Sequence, residues 1–412
     1  MRGVEQPGSR IKRAAAGRRR PTPAVYRRRR LAALIGLGVA LVLFLLVVGK
    51  ITDAGKPPEP PLTPAQLRAN ELNENPVELT LSFSGDLLIH TPLFLRAQEL
   101  AGGTGYDFAP LFEEIRPYVE DADLAFCHVE VPMTPNPPAS YPIFNTPPEM
   151  AKGIAQTGWD ACDTASNHTL DQGEEGVGQT IMALEDAGVK TTGSATSQKG
   201  RDTPLIVETK GIRVGYVACT TDTNGIPVPK PYTVNICEKD QILDDAKRAK
   251  KAGADAVIAQ MHWASELVPE YVSEPAPGQE ALAKELAKSP EITAVVGQGP
   301  HIVQPIVKVD GKYVVFSEGN LTSNQGADMG LAEGSQDGYI ALLDLVVDGE
   351  GASVTGARYV PTWTDHADYR VWPVGDAIEA GEADEASVRA SYERTVGVVG
   401  DKTAEPVPPK LP

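Results

Sequence analysis

Hydrophobic and polar positions follow three successive patterns along this chain. The first is an unbroken apolar run, Leu31–Gly49 (LAALIGLGVALVLFLLVVG), nineteen residues without a charge. As a helix it spans roughly 28 Å at about 1.5 Å per residue, close to a bilayer core of about 30 Å. The second pattern starts near residue 77 and alternates short β-rich runs with amphipathic stretches. Strands are predicted over Val77–Ser84, Asp123–Val129, Trp159–Ala165, Ala256–Met261 and Ile292–Val296. Helices are predicted over Tyr106–Val119, Pro147–Gly158, Glu174–Gly188, Asp240–Ala252 and Gln279–Ser289. Leu205–Val207 and Ile212–Cys219 read as a hairpin across Lys210-Gly211. In the third pattern strands follow one another: Ile302–Val309, Tyr313–Ser317, Tyr339–Val347 and Ser353–Pro361. Alternation first and strands later predict an α/β class, a layered fold with mixed central β-sheets flanked by helices, preceded by one transmembrane helix.

Charge divides the chain again. The net charge is −17, yet residues 1–30 carry eleven Lys/Arg against one Glu, a balance of +10, which leaves −27 for the rest. Arg18–Arg20 and Arg27–Arg30 lie only on the N-terminal side of the apolar run. That asymmetry keeps the N-terminus in the cytoplasm and sends everything after Gly49 outward. A cleaved signal peptide is the rival reading, but its apolar region usually runs about 7–15 residues and no A-x-A site follows here. The arginines abut the apolar run and the body is acidic, so a nucleic-acid partner is not expected. The expected organisation is a basic cytoplasmic arm (1–30), a cell-membrane anchor (31–49), a Pro-rich linker (50–76), an extracytoplasmic domain (77–370) and a helical, Pro-rich tail (371–412).

Candidate chemistry collects where predicted strands end, the usual place for ligand sites in α/β folds. Asp86 and His90 follow the first strand in SFSGDLLIH. His128 and Glu130 end the second in AFCHVEVPMT. Asn167, His168 and Asp171 follow the third in DTASNHTLDQG. His262 and Glu266 stand in VIAQMHWASE, and Gln298 and His301 in AVVGQGPHIVQP. Five of the six histidines occupy such positions. One histidine at a strand end is ordinarily a hydrogen-bonded core residue. Five of them with several acids point to a divalent metal, because imidazole and carboxylate together suit divalent transition ions.

The ordered blocks GDLLIH, VEVPMT, FNTPPEM, SNHTLDQGEEG, MHW, GQGPHIVQP and FSEGNL resemble the CapA family of capsule-biosynthesis proteins, named for poly-γ-glutamate and part of the wider calcineurin-like metallophosphoesterases. The resemblance runs from about 79 to 345. It implies a metallophosphoesterase-like layered fold and a divalent metal in a mononuclear or dinuclear site, with Mn, Fe and Zn not distinguished. It implies metal ligands at Asp86, His90, Glu130, Asn167, His262 and His301, with Glu130 where related enzymes place a bridging Asp. It implies that His168 acts as general acid or phosphate contact, oriented by Asp171. His128, Gln298 and Glu266 are expected as supporting or substitute ligands. Two departures bear on the ligand set. The superfamily's Asp-x-His becomes Asp86-x-x-x-His90, and Gly299 stands where many relatives have a histidine.

The implied activity is metal-assisted phosphoester hydrolysis in capsule or poly-γ-glutamate-like polymer biosynthesis or export. The partners implied are an anionic envelope polymer or phosphoester, the membrane, and other capsule-synthesis subunits. A non-catalytic polymer-binding or assembly subunit is the alternative. All four cysteines fall outside the membrane in this topology, where disulfides persist. Cys127 and Cys162 end successive strands, and Cys219 and Cys237 bracket a proline-rich loop. These two pairings are therefore expected, with buried free thiols as the other possibility.

Overall fold

The computed structural model describes residues 23–53, 62–264, 268–381 and 383–408. It divides into two compact units, Met1–Thr63 and Pro64–Pro412. In the first, helix α1 (Pro23–Asp53) contains the apolar run; its segment Tyr26–Lys50, in which an 18-residue window reaches a mean hydropathy of 3.1, is long and apolar enough to cross a membrane.

The second unit is built on two sheets. Its strands are β1 (Val77–Leu87), β2 (Leu124–Val129), β3 (Ala161–Asp163), β4 (Lys190–Thr192), β5 (Leu205–Thr209), β6 (Ile212–Thr220), β7 (Ala256–His262), β8 (Ala294–Gln298), β9 (Ile306–Val309), β10 (Lys312–Val315), β11 (Asn320–Thr322), β12 (Asp337–Val347), β13 (Ala352–Thr364), β14 (Val371–Pro373) and β15 (Glu405–Pro406). One sheet has the order β14-β13-β12-β1-β2-β3-β4, with β11 on β1 and β15 on β13; the other has the order β5-β6-β7-β8-β10-β9. Both are mixed: β1 runs parallel to β2 and antiparallel to β12, and β6 runs parallel to β7 and antiparallel to β5.

Side-chain alternation assigns each face. Leu79, Leu81 and Phe83 of β1 and Leu124 and Phe126 of β2 pack against Val214, Tyr216, Ile258 and Val296 of the other sheet, forming the core between them. The opposite face of the first sheet is covered by α3 (Thr91–Leu100), α5 (Met150–Thr157) and α6 (Gly173–Asp186) through Leu93, Phe94, Ile154 and Leu184. The outer face of the second is covered by α8 (Lys239–Lys251) and α9 (Pro277–Ala287) through Ile242, Ala246, Ala283 and Leu286. Helices, two sheets and helices again make the layers, as the alternating pattern predicts.

Several segments differ from expectation for local reasons. Tyr106–Val119 is not one helix but two 3₁₀ turns, Ala109–Leu111 and Glu113–Ile115, leading into the short α4 (Arg116–Glu120). Pro110 and Pro117 each sit where a turn can begin but a helix interior cannot continue. Within the segment read as a linker, α2 (Pro64–Glu74) is helical and docks on the domain. Leu72 packs on the inter-sheet core, and Arg68 meets Asp255 at 2.8 Å. The segment read as a tail is also built in. Strands β14 and β15 pair with β13, and α10 (Val374–Ala380) and α11 (Glu385–Val399) bury Val374, Val388 and Tyr392 against Trp363 and Trp372.

A candidate metal centre at the facing strand ends

In β1 the residues Leu79, Leu81 and Phe83 face the second sheet. A strict period of two would turn Asp86 the other way. The pairing with β2 shifts at this point: Ser84 lies opposite Cys127, and Asp86 opposite His128. Gly85 is the extra residue of this bulge, and it rotates Asp86 onto the inward face with His128. Only glycine fits, because a Cβ at residue 85 would collide with the carbonyl oxygen of Gly319. His128 continues the inward set of Leu124 and Phe126, and His262 that of Ala256 and Ile258.

The inward side chains converge. Ligand atoms of Asp86, His128 and His262 lie within 4.8 Å of one another, and so do those of Asp86, Glu130 and His301; all five residues are buried. His128 Nε2 is 3.7 Å and His262 Nδ1 3.9 Å from Asp86 Oδ1; His301 Nδ1 is 3.2 Å from Asp86 Oδ2, and its Nε2 is 3.6 Å from Glu130 Oε1. His128 and His262 stack at 4.7 Å. Asp86, rather than Glu130, is common to both trios.

Each of the two stacked histidines is held from behind. His128 Nδ1 lies 2.8 Å from Asp163 Oδ1, and His262 Nε2 lies 3.0 Å from Asn167 Oδ1. If those nitrogens donate, the opposite nitrogens are left bare, and among the described residues neither His128 Nε2 nor His262 Nδ1 has a hydrogen-bond partner. The same holds for Asp86 Oδ1 and both Glu130 oxygens. Buried polar atoms normally find partners. Orphans gathered within a few ångströms, on histidines oriented by a carboxylate and an amide, fit the donor arrangement of a metal site.

Electrostatics makes the same demand. Asp86, Glu130, Asp163 and Glu318 are all buried to within 1% exposure. Burial pushes the Glu130 carboxyl up to about 7, with Asp86 adding to it against the pull of His301. Burial lowers the charged form of His301, but Glu130 and Asp86 outweigh it and raise this imidazole to about 10. Burial drives His262 down, with His128 and His301 adding to the effect. Buried acids that draw a proton onto a neighbouring histidine call for a cation, and the mixed N and O donors suit a divalent transition metal.

The other expected residues take distinct places. His168 Nδ1 is 2.7 Å from Asp171 Oδ2, which also accepts the Phe144 backbone N–H at 2.7 Å. His168 lines a cleft of about 690 Å³ together with His90 and His301. His90 stands apart from both trios, and its Nδ1 lies 3.1 Å from the Leu88 carbonyl and 3.2 Å from the Asn324 N–H. Extending the spacing from Asp-x-His to four residues carries it to the start of α3, away from Asp86. Gln298 pairs with His262 across β7 and β8, and its Oε1 accepts from Gln260 Nε2. Glu266 lies outside the described residues. At Gly299 the backbone has φ +109°, and a Cβ would lie 2.8–3.0 Å from the Trp263 backbone, so this site has no room for a histidine. His128 supplies imidazole from the other sheet instead.

Asp163, Glu318 and Asn320 were not singled out from the sequence. Asp163 carries a readable signal, an acid closing a strand just ahead of the Asn167-His168 pair. Asn320, whose Oδ1 is 3.0 Å from His301 Nδ1, gives none until β11 is paired with β1. Disulfides join Cys127 to Cys162, across paired residues of β2 and β3, and Cys219 to Cys237.

Two facing mixed sheets between helices, with a buried acid–histidine centre at their strand ends, define a layered α/β protein with a candidate metal centre. Residues 80–325 match the family described as bacterial capsule synthesis protein PGA_cap, and the chain belongs to that family. It is 26% identical over 326 residues to the capsule biosynthesis protein CapA of Bacillus anthracis, covering 75% of each chain. It is 23% identical to the PGA biosynthesis protein CapA of Bacillus subtilis, over 60% of this chain and 64% of that one. Among solved structures it is similar to the calcineurin-like phosphoesterase YfkN of Bacillus subtilis, with a TM-score of 0.47 and 13% identity over 77% of this chain and 99% of that one. It is also similar to a 5′-nucleotidase precursor of Thermus thermophilus, with a TM-score of 0.43 and 13% identity over 78% of this chain, and it spans 59% of that protein's length.

Proposed function

We propose that this chain is a membrane-anchored, metal-dependent hydrolase of the phosphoesterase type. In this reading it acts on a phosphoester outside the cell membrane, where a capsule or poly-γ-glutamate-like polymer is made, alongside other subunits of that machinery. The observation that carries it is the pair of ligand trios sharing Asp86, in which Asp86 Oδ1, His128 Nε2, His262 Nδ1 and both Glu130 oxygens are buried and without partners among the described residues. Asp86, His128 and His262 would hold one divalent ion, and Asp86, Glu130 and His301 a second. A bound ion supplies Lewis-acid polarisation of a phosphoryl oxygen. Asp163 and Asn167 orient the ligand histidines. Asp171 fixes the His168 ring through Nδ1, leaving Nε2 to donate a proton to the departing oxygen. Phe144, edge-on to His168 at 4.7 Å, limits water on that side.

The anchoring part rests on Tyr26–Lys50 and the arginines preceding it. Protease added to intact protoplasts should digest the domain, and full protection would contradict that orientation. The activity is tested with the full chain in neutral detergent, loaded with Mn²⁺, on bis(p-nitrophenyl) phosphate. Metal-dependent release of p-nitrophenol is expected. A metal-loaded chain with no turnover on phosphoesters would instead favour the assembly-subunit role.

A further inference from the structure

Two clefts open onto the centre. The first, of about 690 Å³, includes His90, Tyr141, Phe144, His168, Tyr271 and His301 in its wall; the second, of about 640 Å³, includes Asn167, Asp222 and Asn224. Glu270 lines both. Neither wall contains a lysine or arginine among the described residues. Among the described residues between Trp263 and Pro277, Glu270 and Glu274 are acidic and none is basic. The walls are aromatic instead. Tyr141 is 77% exposed, and Tyr271 lies 6.1 Å from the His301 ring.

A phosphoryl group at the centre would meet the ions and histidines. Whatever is attached to it must occupy a mouth that offers carboxylate and aromatic faces. Carboxylates repel a glutamate polymer and attract an ammonium group, and aromatic faces attract cations through their quadrupole. We infer that the preferred substrate is a phosphoester whose alcohol portion carries an ammonium group, held by Glu270 and the faces of Tyr141 and Tyr271, and that the polyanionic chain itself does not enter this cleft. The inference rests on the phosphoester reading above. An ammonium-bearing phosphoester can be a soluble ester or a lipid headgroup.

The test is binding, which does not depend on turnover. The full Mn²⁺-loaded chain in neutral detergent is titrated by calorimetry with phosphoethanolamine, glycerol 3-phosphate and a γ-glutamyl oligomer. Phosphoethanolamine should bind roughly fivefold tighter than glycerol 3-phosphate, the scale of one modest cation–π or ion-pair contact. The oligomer should bind more weakly than either. Glu270→Gln should shrink the preference towards unity, and Glu270→Lys should reverse it. Equal affinities, or tighter binding of the oligomer, overturn this inference alone. Failure of the metal-loaded chain to bind either phosphate overturns the phosphoester reading and this inference together. Where the preference holds, displacement of phosphoethanolamine by phosphatidylethanolamine in mixed micelles supports a lipid source, and no displacement supports a soluble one.

Discussion

Asp86 Oδ1 lies 3.7 Å from His128 Nε2 because the strand carrying Asp86 is one residue out of step with its neighbour. The extra residue is Gly85, and the Gly319 carbonyl occupies the space where its side chain would be. Gly85→Ala must therefore push β1 away from the segment ahead of β11 or flatten the bulge. A cost of about 1–3 kcal/mol is expected, as for overpacking elsewhere, read as a lower urea midpoint. Metal affinity should fall with it. An alanine variant with wild-type stability and metal content would show that the bulge does not set the site.

His168 and Asp171 should act on the chemical step without moving the ions. His168→Gln is expected to lower kcat by about 10²–10⁴, the range for a positioned general acid. Asp171→Asn should cost less, since the amide can still hold the ring. Both variants should keep wild-type metal content by elemental analysis. Loss of metal in the His168 variant would make it a ligand instead.

His90 gives a stability prediction with a definite sign. Burial pushes its pKa down to about 4, far below the usual value near 6.5. The neutral form is favoured when folded, so this contribution is complete above pH 6.5 and is lost as the pH falls towards 4. The full loss is about 3 kcal/mol. In chelator, the wild type should lose stability between pH 6.5 and 4 faster than His90→Gln. Parallel pH dependences would contradict this.

Much of the centre was legible in the sequence because strand ends are local features. Asn167, His262 and His301 follow β-rich runs closely, and the structure brings each within reach of Asp86 or its partners. What could not be read was set by pairing between distant segments. Nothing near Gly85 announces Gly319, and nothing near His301 announces Asn320. His128 reads as a supporting residue until the register places it opposite Asp86. Fold reading failed where tertiary contact overrides composition. Residues 64–74 look like a spacer, yet Leu72 and Arg68 find partners on the domain. Ile302–Val309 reads as a continuous strand, but β9 starts only at Ile306, because the preceding residues turn into the site with His301 at φ +59°.

The most direct test of the central claim, two ion positions sharing Asp86, is the metal content of the full chain after chelation, reloading with Mn²⁺ and removal of free ion. The wild type should retain two ions per chain by elemental analysis. His262→Ala and Glu130→Gln should each retain about one, since each belongs to one trio only. Asp86→Asn should retain essentially none while keeping its folded circular dichroism. A wild type that takes up no metal, or an Asp86→Asn chain that keeps its full complement, would contradict the account.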